Sequence, residues 1–257
     1  MIVRRSAAEL AKIAAAGAIL ADCLDELARA ARPGVTTAEL DALAERFIRE
    51  RGGTPTFLGY QGFPGSICAS PNDMVVHGIP GAYRVAEGDL LSLDVGVTLN
   101  GYIADSAQTL LIGSVEAEAC RLAEVTAESL EAGLAECREG RRLGDISHAI
   151  QEVVEAAGFS VVRSLVGHGV GKEMHEDPQI PNYGDPGRGP RLEEGMVFAI
   201  EPMVDAGGHE VVVADDGWAI HTADGSLSAH FEHTVGVGTK APQVFTRRPS
   251  EKGGAAV

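Results

Sequence analysis

The sequence predicts a pseudo-symmetric α/β (α+β) fold, and three observations carry that prediction. Helical and strand patterns come in two blocks, each a helical part followed by strands. The blocks repeat. Val85-Ala86-Glu87-Gly88 leads to Asp94 at the spacing at which Leu192-Glu193-Glu194-Gly195 leads to Glu201, an offset of 107 residues, and Gly34, Leu40, Phe47, Ile48 and Gly52 recur as Gly140, Ile146, Val153, Val154 and Gly158 at an offset of 106. The stretch from Leu93 to Thr109 also reads as a β-hairpin around Asn100-Gly101, a dipeptide that tolerates positive φ at both turn positions. One domain over residues 1–240 is expected, with halves at about 1–110 and 111–240 and a loosely ordered tail over 241–257.

The elements follow in order. Residues 7 to 31 have a helical apolar pattern that Pro33-Gly34 stops. Thr36 with Glu39 has capping-box spacing, and Leu40, Leu43, Ala44, Phe47 and Ile48 form the stripe of a second helix ending at Gly52-Gly53. Residues 54 to 82, rich in Gly, Pro and aromatics, read as loop and short strand. After the hairpin, helices are expected over 114–138 and 144–157, punctuated by Gly140 and Gly158. Val161 to Asn182 begins strand-like and is expected to become a loop carrying His168 and His175. Strands are expected over Met196 to Val204, Glu210 to Val213, Trp218 to Thr222 and Ala229 to Val237.

Composition narrows the function classes. The 257 residues, 45% of them apolar, suit a soluble globular protein. A formal charge of −16 argues against a nucleic-acid partner, which would need clustered Lys and Arg, and leaves cations as natural ligands. Cys23, Cys68, Cys120 and Cys137 form no CxxC pair, so neither a disulfide framework nor structural zinc is expected, and a reducing cytoplasm fits. Arg4-Arg5 before the apolar run Ile13 to Ala21 looks briefly like a targeting signal. Glu9 and Lys12 interrupt it and the pattern continues past Asp22, so it reads as the first helix. No segment is long enough to span a membrane.

The hairpin brings chemistry. With Asn100-Gly101 as a two-residue loop, Leu99 pairs with Tyr102, Gly96 with Asp105 and Asp94 with Ala107. Asp94 and Asp105 then share a face as diagonal neighbours, roughly 7–8 Å apart at the backbone. Either both point to solvent, or a cation sits between them. Glu201, in the apolar run Phe198 to Pro202, is poorly placed for simple solvation, and Glu232 alternates with apolar neighbours. With His168 these make four carboxylates and one imidazole, too acidic for structural zinc and suited to two divalent metals. Taken singly, a His in a Gly-rich loop can be a turn residue, and a strand-end Glu can pair with Arg.

Together these residues carry a resemblance. Asp94, Asp105, His168 in Gly-His-Gly-Val-Gly, Glu201 in Glu-Pro-Met and Glu232 in Phe-Glu-His-Thr are similar to the metal-ligand series of type I methionine aminopeptidases. So are Leu58-Gly59-Tyr60, Pro71-Asn72-Asp73 with His77-Gly78-Ile79-Pro80, Met174 to Pro178, Pro33 to Thr37, Asp216-Gly217-Trp218 and Ser226 to Ala229. The resemblance covers about residues 3 to 238 and implies a pita-bread fold, a curved antiparallel sheet in two related halves with helices outside.

It also implies a hydrolase that removes the initiator methionine from new polypeptides with small second residues. Asp94 would chelate one metal, Asp105 and Glu232 would bridge, and His168 and Glu201 would complete the other, activating a bridging water. Glu201 would carry a proton, and His77 and His175 would position the peptide and stabilise the oxyanion. Phe57, Tyr60, Phe63, Cys68 and Trp218 match the methionine pocket, made shallower by Phe57 where some members carry a small residue; Phe198 matches it by position and reads equally as a plain core aromatic. The metals would be Co, Mn, Fe or Zn, with a monovalent cation at Asn72 and Ser228. A monomer of the minimal bacterial type, with transient ribosome association, is expected. The rival readings are an Xaa-Pro dipeptidase or aminopeptidase of the same fold, and a non-catalytic peptide-binding pseudo-peptidase.

Overall fold

In a computed structural model, which describes residues 2–252, each half is a helix pair laid over strands. The first pair is Ala7–Ala30 and Thr37–Glu50. Both helices start on capping boxes: Ser6 with Glu9, and Thr36, whose hydroxyl accepts from the Glu39 N–H at 3.2 Å while its own N–H donates to the Glu39 carboxylate at 2.7 Å. The hairpin strands Leu90–Leu99 and Tyr102–Leu111 have the register expected, with Leu99 opposite Tyr102, Gly96 opposite Asp105 and Asp94 opposite Ala107. Asn100 and Gly101 take φ of 52° and 75°, the turn that matches the twist of the paired strands.

Strand alternation then divides the hairpin. Leu91, Leu93, Val95 and Val97 pack under Leu20, Leu24, Leu27 and Ile48 of the helices, whereas Asp94 and Gly96 face the opposite way. Each fully buried Leu contributes about 1.5–3 kcal/mol, so a one-residue slip that turned the aspartates inward is strongly disfavoured. The second half repeats the arrangement. Helices Ala117–Glu136 and Leu143–Ala156 cover Phe198, Ile200 and Val235. Its main sheet runs in the order Gln243–Val244, His233–Gly236, Val197–Ile200, Val166–Gly169, Glu176–Pro181.

Three expectations are corrected. His168 lies on a strand, Val166–Gly169, not on a loop; only His175 sits in the turn before Glu176–Pro181. The flanking glycines are there for close packing: a Cβ on Gly167 would lie 2.5 Å from the Ala199 carbonyl oxygen, and one on Gly169 would lie 2.1 Å from that of Asp177.

The strands expected over 196–204 and 229–237 are each broken. Val197–Ile200 pairs with His233–Gly236, and Met203–Asp205 pairs with Ser228–His230 in a separate sheet. The breaks fall at Glu201-Pro202 and Phe231-Glu232, so both glutamates sit at the bend where a strand passes from one sheet to the next.

The tail is also packed over much of its length. Gln243–Val244 joins the main sheet, Thr246 is fully buried, and Ser250 donates to Asp25 at 2.7 Å at the start of the short helix Pro249–Lys252. Residues 253–257 of the expected loose tail lie outside the described residues.

Candidate metal centre and peptide cleft

Between the halves lies a cavity of about 320 Å³. The hairpin supplies Asp94 and Asp105, the strand Val166–Gly169 supplies His168, and the two bends supply Glu201 and Glu232. Phe57, Tyr60, Phe63, Cys68 and Trp218 form its apolar wall, with His77 and His175 also on the lining. Cys68 stands directly opposite Asp94 on the neighbouring strand Ile67–Pro71. Phe63 and Trp218 meet edge to face at 5.1 Å.

The floor is held from behind. Asp105 N–H donates to the Thr234 hydroxyl at 2.8 Å, the Ser106 hydroxyl donates to the Glu232 carbonyl at 2.5 Å, and Glu232 N–H donates to the Ala107 carbonyl at 3.0 Å. Ligand atoms of Asp105, His168 and Glu232 lie within 4.8 Å of one another, and His168 Nε2 is 3.5 Å from Glu201 Oε1 and 3.9 Å from Asp105 Oδ2. Asp94 Oδ1, Asp105 Oδ1 and Glu232 Oε1 are buried without a hydrogen-bond partner among the described residues.

Electrostatics sharpens the geometry. Burial pushes the Asp94 carboxyl up to about 7, against the pull of hydrogen bonds from Asp105 and the Val95 backbone. Burial raises Asp105, Glu201 and Glu232 well above the usual carboxylate range, and their neighbours' negative charges raise them further. His168 is held down at about 4, by burial first and then by His175. Its Nδ1–H donates to the Gly169 carbonyl at 2.9 Å, which leaves the Nε2 lone pair facing the carboxylates. Lone pair against lone pairs in a buried acidic pocket is a favourable arrangement only around a cation, so the donor set fits a divalent metal centre.

The remaining groups surround this floor. Tyr60 Oη lies 2.8 Å from His175 Nδ1, and the His175 and His168 rings are 4.4 Å apart. His77 holds a left-handed backbone at φ 61°, a strained conformation for a residue with a Cβ. The next residue must be Gly: a Cβ on Gly78 would lie 2.2 Å from the Ala69 carbonyl oxygen. Phe57 packs over Gly96, where a Cβ would come within 2.7 Å of the Phe57 ring.

The family model for metallopeptidase family M24 matches residues 11–239. Methionine aminopeptidase of Clostridium acetobutylicum is 52% identical over 96% of this chain and 99% of its own length. The chain belongs to the methionine aminopeptidases of family M24. Methionine aminopeptidase 1 of Bacillus subtilis is 51% identical over 96% of this chain and 100% of its own. The crystal structure of methionine aminopeptidase from Thermotoga maritima superposes with a TM-score of 0.95 at 43% identity, covering 96% of this chain and all of that one. The fold is therefore the pita-bread fold of the M24 enzymes.

In this M24 enzyme the alternative left open for Phe198 resolves to the core, and sequence reasoning missed other residues of the cleft. Phe198 is fully buried beneath the second helix pair. Strand parity explains it: Phe198 and Ile200 face the helices, while Val197 and Ala199 pack in the cluster around the cleft. Met174 lines the cleft with no periodic signal to announce it. His230 was also missed, although it precedes Glu232 by two positions; its Nε2 lies 3.9 Å from Glu201 Oε2. Asn72 and Ser228 do meet, through Ser228 N–H donating to the Asn72 carbonyl at 2.9 Å.

Proposed function

We propose that this member of the family removes the initiator methionine from nascent polypeptides with a small second residue, using two divalent ions held by Asp94, Asp105, His168, Glu201 and Glu232. The observation that carries the reading is the set of buried, unpartnered carboxylate oxygens facing a neutral His168 Nε2 beside an apolar wall. Bound there, such ions supply Lewis acidity and a water of lowered pKa. The donor set accommodates Co, Mn, Fe or Zn alike.

The chain's own groups do the rest. Glu201 accepts a proton from the attacking water and returns it to the leaving amine. His77 and His175 orient the peptide and donate to the developing oxyanion. Phe57, Tyr60, Phe63, Cys68 and Trp218 receive the methionine side chain, and a bulky second residue would clash before the carbonyl reached the floor. A monovalent cation beside Asn72 and Ser228 belongs to the same reading.

The compartment follows from the chemistry of the substrate. Initiator methionine is exposed where chains emerge, so we place the enzyme in the cytoplasm, acting transiently at the ribosome. All four cysteines are free, and among the described residues no helix is long and apolar enough to cross a membrane. A monomer belongs to the same reading.

The test is hydrolysis of Met-Ala-Ser by the metal-reconstituted protein, beside a Met-Pro dipeptide, an N-acetylated tripeptide and an Asp105→Ala variant. Methionine release from the free tripeptide alone, lost in the variant, is expected. Cleavage confined to the dipeptide would transfer the reading to an Xaa-Pro peptidase, and no turnover with any divalent metal would transfer it to a peptide-binding protein.

A further inference from the structure

Glu201 stands between two imidazoles, one for each carboxylate oxygen. Its Oε1 is 3.5 Å from His168 Nε2, and its Oε2 is 3.9 Å from His230 Nε2. The two histidines are held differently. His168 has its Nδ1–H committed to the Gly169 carbonyl, so its Nε2 is a lone-pair donor, a ligand. His230 is 2% exposed, and its Nε2 has no hydrogen-bond partner among the described residues.

The backbone of His230 is fixed. Its N–H donates to the Thr109 hydroxyl at 2.8 Å, and that hydroxyl in turn donates to the His230 carbonyl at 3.0 Å. Thr109 lies on the same hairpin strand as Asp105, so the His230 backbone is tied to the hairpin whose two strands carry Asp94 and Asp105. His230 is also the last residue of Ser228–His230, just before the bend that delivers Glu232, and stands opposite Met203, just after the bend that delivers Glu201.

We propose that His230 is a positioning residue that donates its Nε2–H to Glu201 Oε2 and so assigns Oε1 to the His168 side of the centre. This rests on the reading of Glu201 as a metal ligand and proton carrier. A buried polar nitrogen facing a buried carboxylate oxygen is satisfied only as a donor, since two lone pairs would repel. The pair closes to hydrogen-bonding distance with a movement of about 1 Å, well within a Glu rotamer adjustment. Without that donor, Glu201 is free to exchange its two oxygens or to turn away at the bend, where no regular strand pairing restrains it.

The test compares His230→Leu with His230→Gln in the full chain. Both fill the volume of the imidazole, and only Gln keeps an N–H donor at comparable reach. Mn²⁺ titration by calorimetry on metal-stripped protein and Met-Ala-Ser kinetics are measured together, with thermal melts as the check on folding. Losing a residue that orients a ligand typically lowers metal affinity or activity by about 10–100-fold. The Leu variant is therefore expected to lose about that much Mn²⁺ affinity and kcat with KM within about threefold, and the Gln variant to recover most of both.

Leu equal to wild type, Gln as impaired as Leu, or a Leu variant that fails to fold while Gln folds would each overturn the proposal, the last by assigning His230 to the fold alone. The Mn²⁺ arm separates this from the functional reading. If wild type releases no methionine but the affinity pattern holds, the substrate assignment fails and the positioning role stands.

Discussion

Tyr60 Oη lies 2.8 Å from His175 Nδ1, and this contact decides what His175 can do. A phenol that donates to Nδ1 leaves the proton on Nε2, so the imidazole is a hydrogen-bond donor on its other side, as oxyanion stabilisation requires. His175→Ala is expected to lower kcat about 10²-fold, the usual cost of removing one such donor, with little change in KM. Tyr60→Phe removes only the tautomer control and should cost up to about tenfold, the worth of one hydrogen bond. Steady-state kinetics on Met-Ala-Ser checks the order of the two effects; a Phe variant more impaired than the Ala variant would reverse the assignment.

Phe57 and Gly96 form a matched pair. A Cβ on Gly96 would lie 2.7 Å from Phe57 Cε1 and 3.0 Å from Thr56 Cβ, and neither neighbour is the free end of a long side chain. Gly96→Ala should therefore destabilise the protein by about 1–3 kcal/mol through overpacking. Adding Phe57→Leu should restore most of that loss. Urea denaturation of the two single variants and the double variant measures the coupling, and additive losses would mean that the ring does not transmit the strain.

How much of this was legible depends on the kind of signal. The hairpin register was readable because Asn100-Gly101 permits one turn and one pairing, and Asp94 and Asp105 follow from it by parity alone. The helix starts were readable because Thr36 and Glu39 make a local hydrogen-bonded unit that needs no tertiary partner. The strand position of His168 was not, because Gly167 and Gly169 look the same in sequence whether they open a loop or admit a neighbouring carbonyl. The bends at Glu201 and Glu232 were equally hidden: the apolar pattern runs straight through them, and only the switch of partner sheets breaks the strands. His230 shows the same limit. Its spacing to Glu232 is visible, but its approach to Glu201 exists only after the two bends meet.

On the proposed metal site, metal and pH are expected to act on stability through the same carboxylates. A carboxyl with a folded pKa above its unfolded value binds more protons when folded, so its contribution falls as pH rises; for Asp94 the window runs from about 3.8 to about 7. His168, held down from 6.5 to about 4, and His230, held down to about 3, act oppositely, adding stability as pH rises until about 6.5. Above that only the raised carboxyls remain. The midpoint of urea unfolding of the chelator-treated protein should then fall as pH rises above 6.5. Mn²⁺ at about 100 times its Kd should add about 2.7 kcal/mol at the alkaline end. A midpoint that rises with pH in the absence of metal would show that the carboxylates are paired by something other than a cation.

In the packed tail, Thr246 is the side chain that links to the strand behind Asp105 by hydrogen bonds to both His233 and Thr234. Thr246 is fully buried, and its hydroxyl lies 2.9 Å from His233 Nδ1 while accepting the Thr234 N–H at 3.1 Å. Thr234 in turn holds Asp105 from both sides of its peptide, accepting from Asp105 N–H at 2.8 Å and donating to its carbonyl at 2.7 Å. Thr246→Val keeps the shape, strands the buried Thr234 N–H at about 1–3 kcal/mol if water cannot enter, and leaves His233 Nδ1 only the Ser106 hydroxyl at 3.4 Å. A loss of at least about 1 kcal/mol in urea denaturation is expected, together with weaker Mn²⁺ binding, because the chain of hydrogen bonds ends on the Asp105 backbone. Thr246→Ser keeps the hydroxyl and should retain most of both properties. If Val loses stability while Mn²⁺ affinity stays at the wild-type value, the tail supports the sheet without reaching the metal ligands; if neither property changes, Thr246 is not the group that ties the tail to the centre.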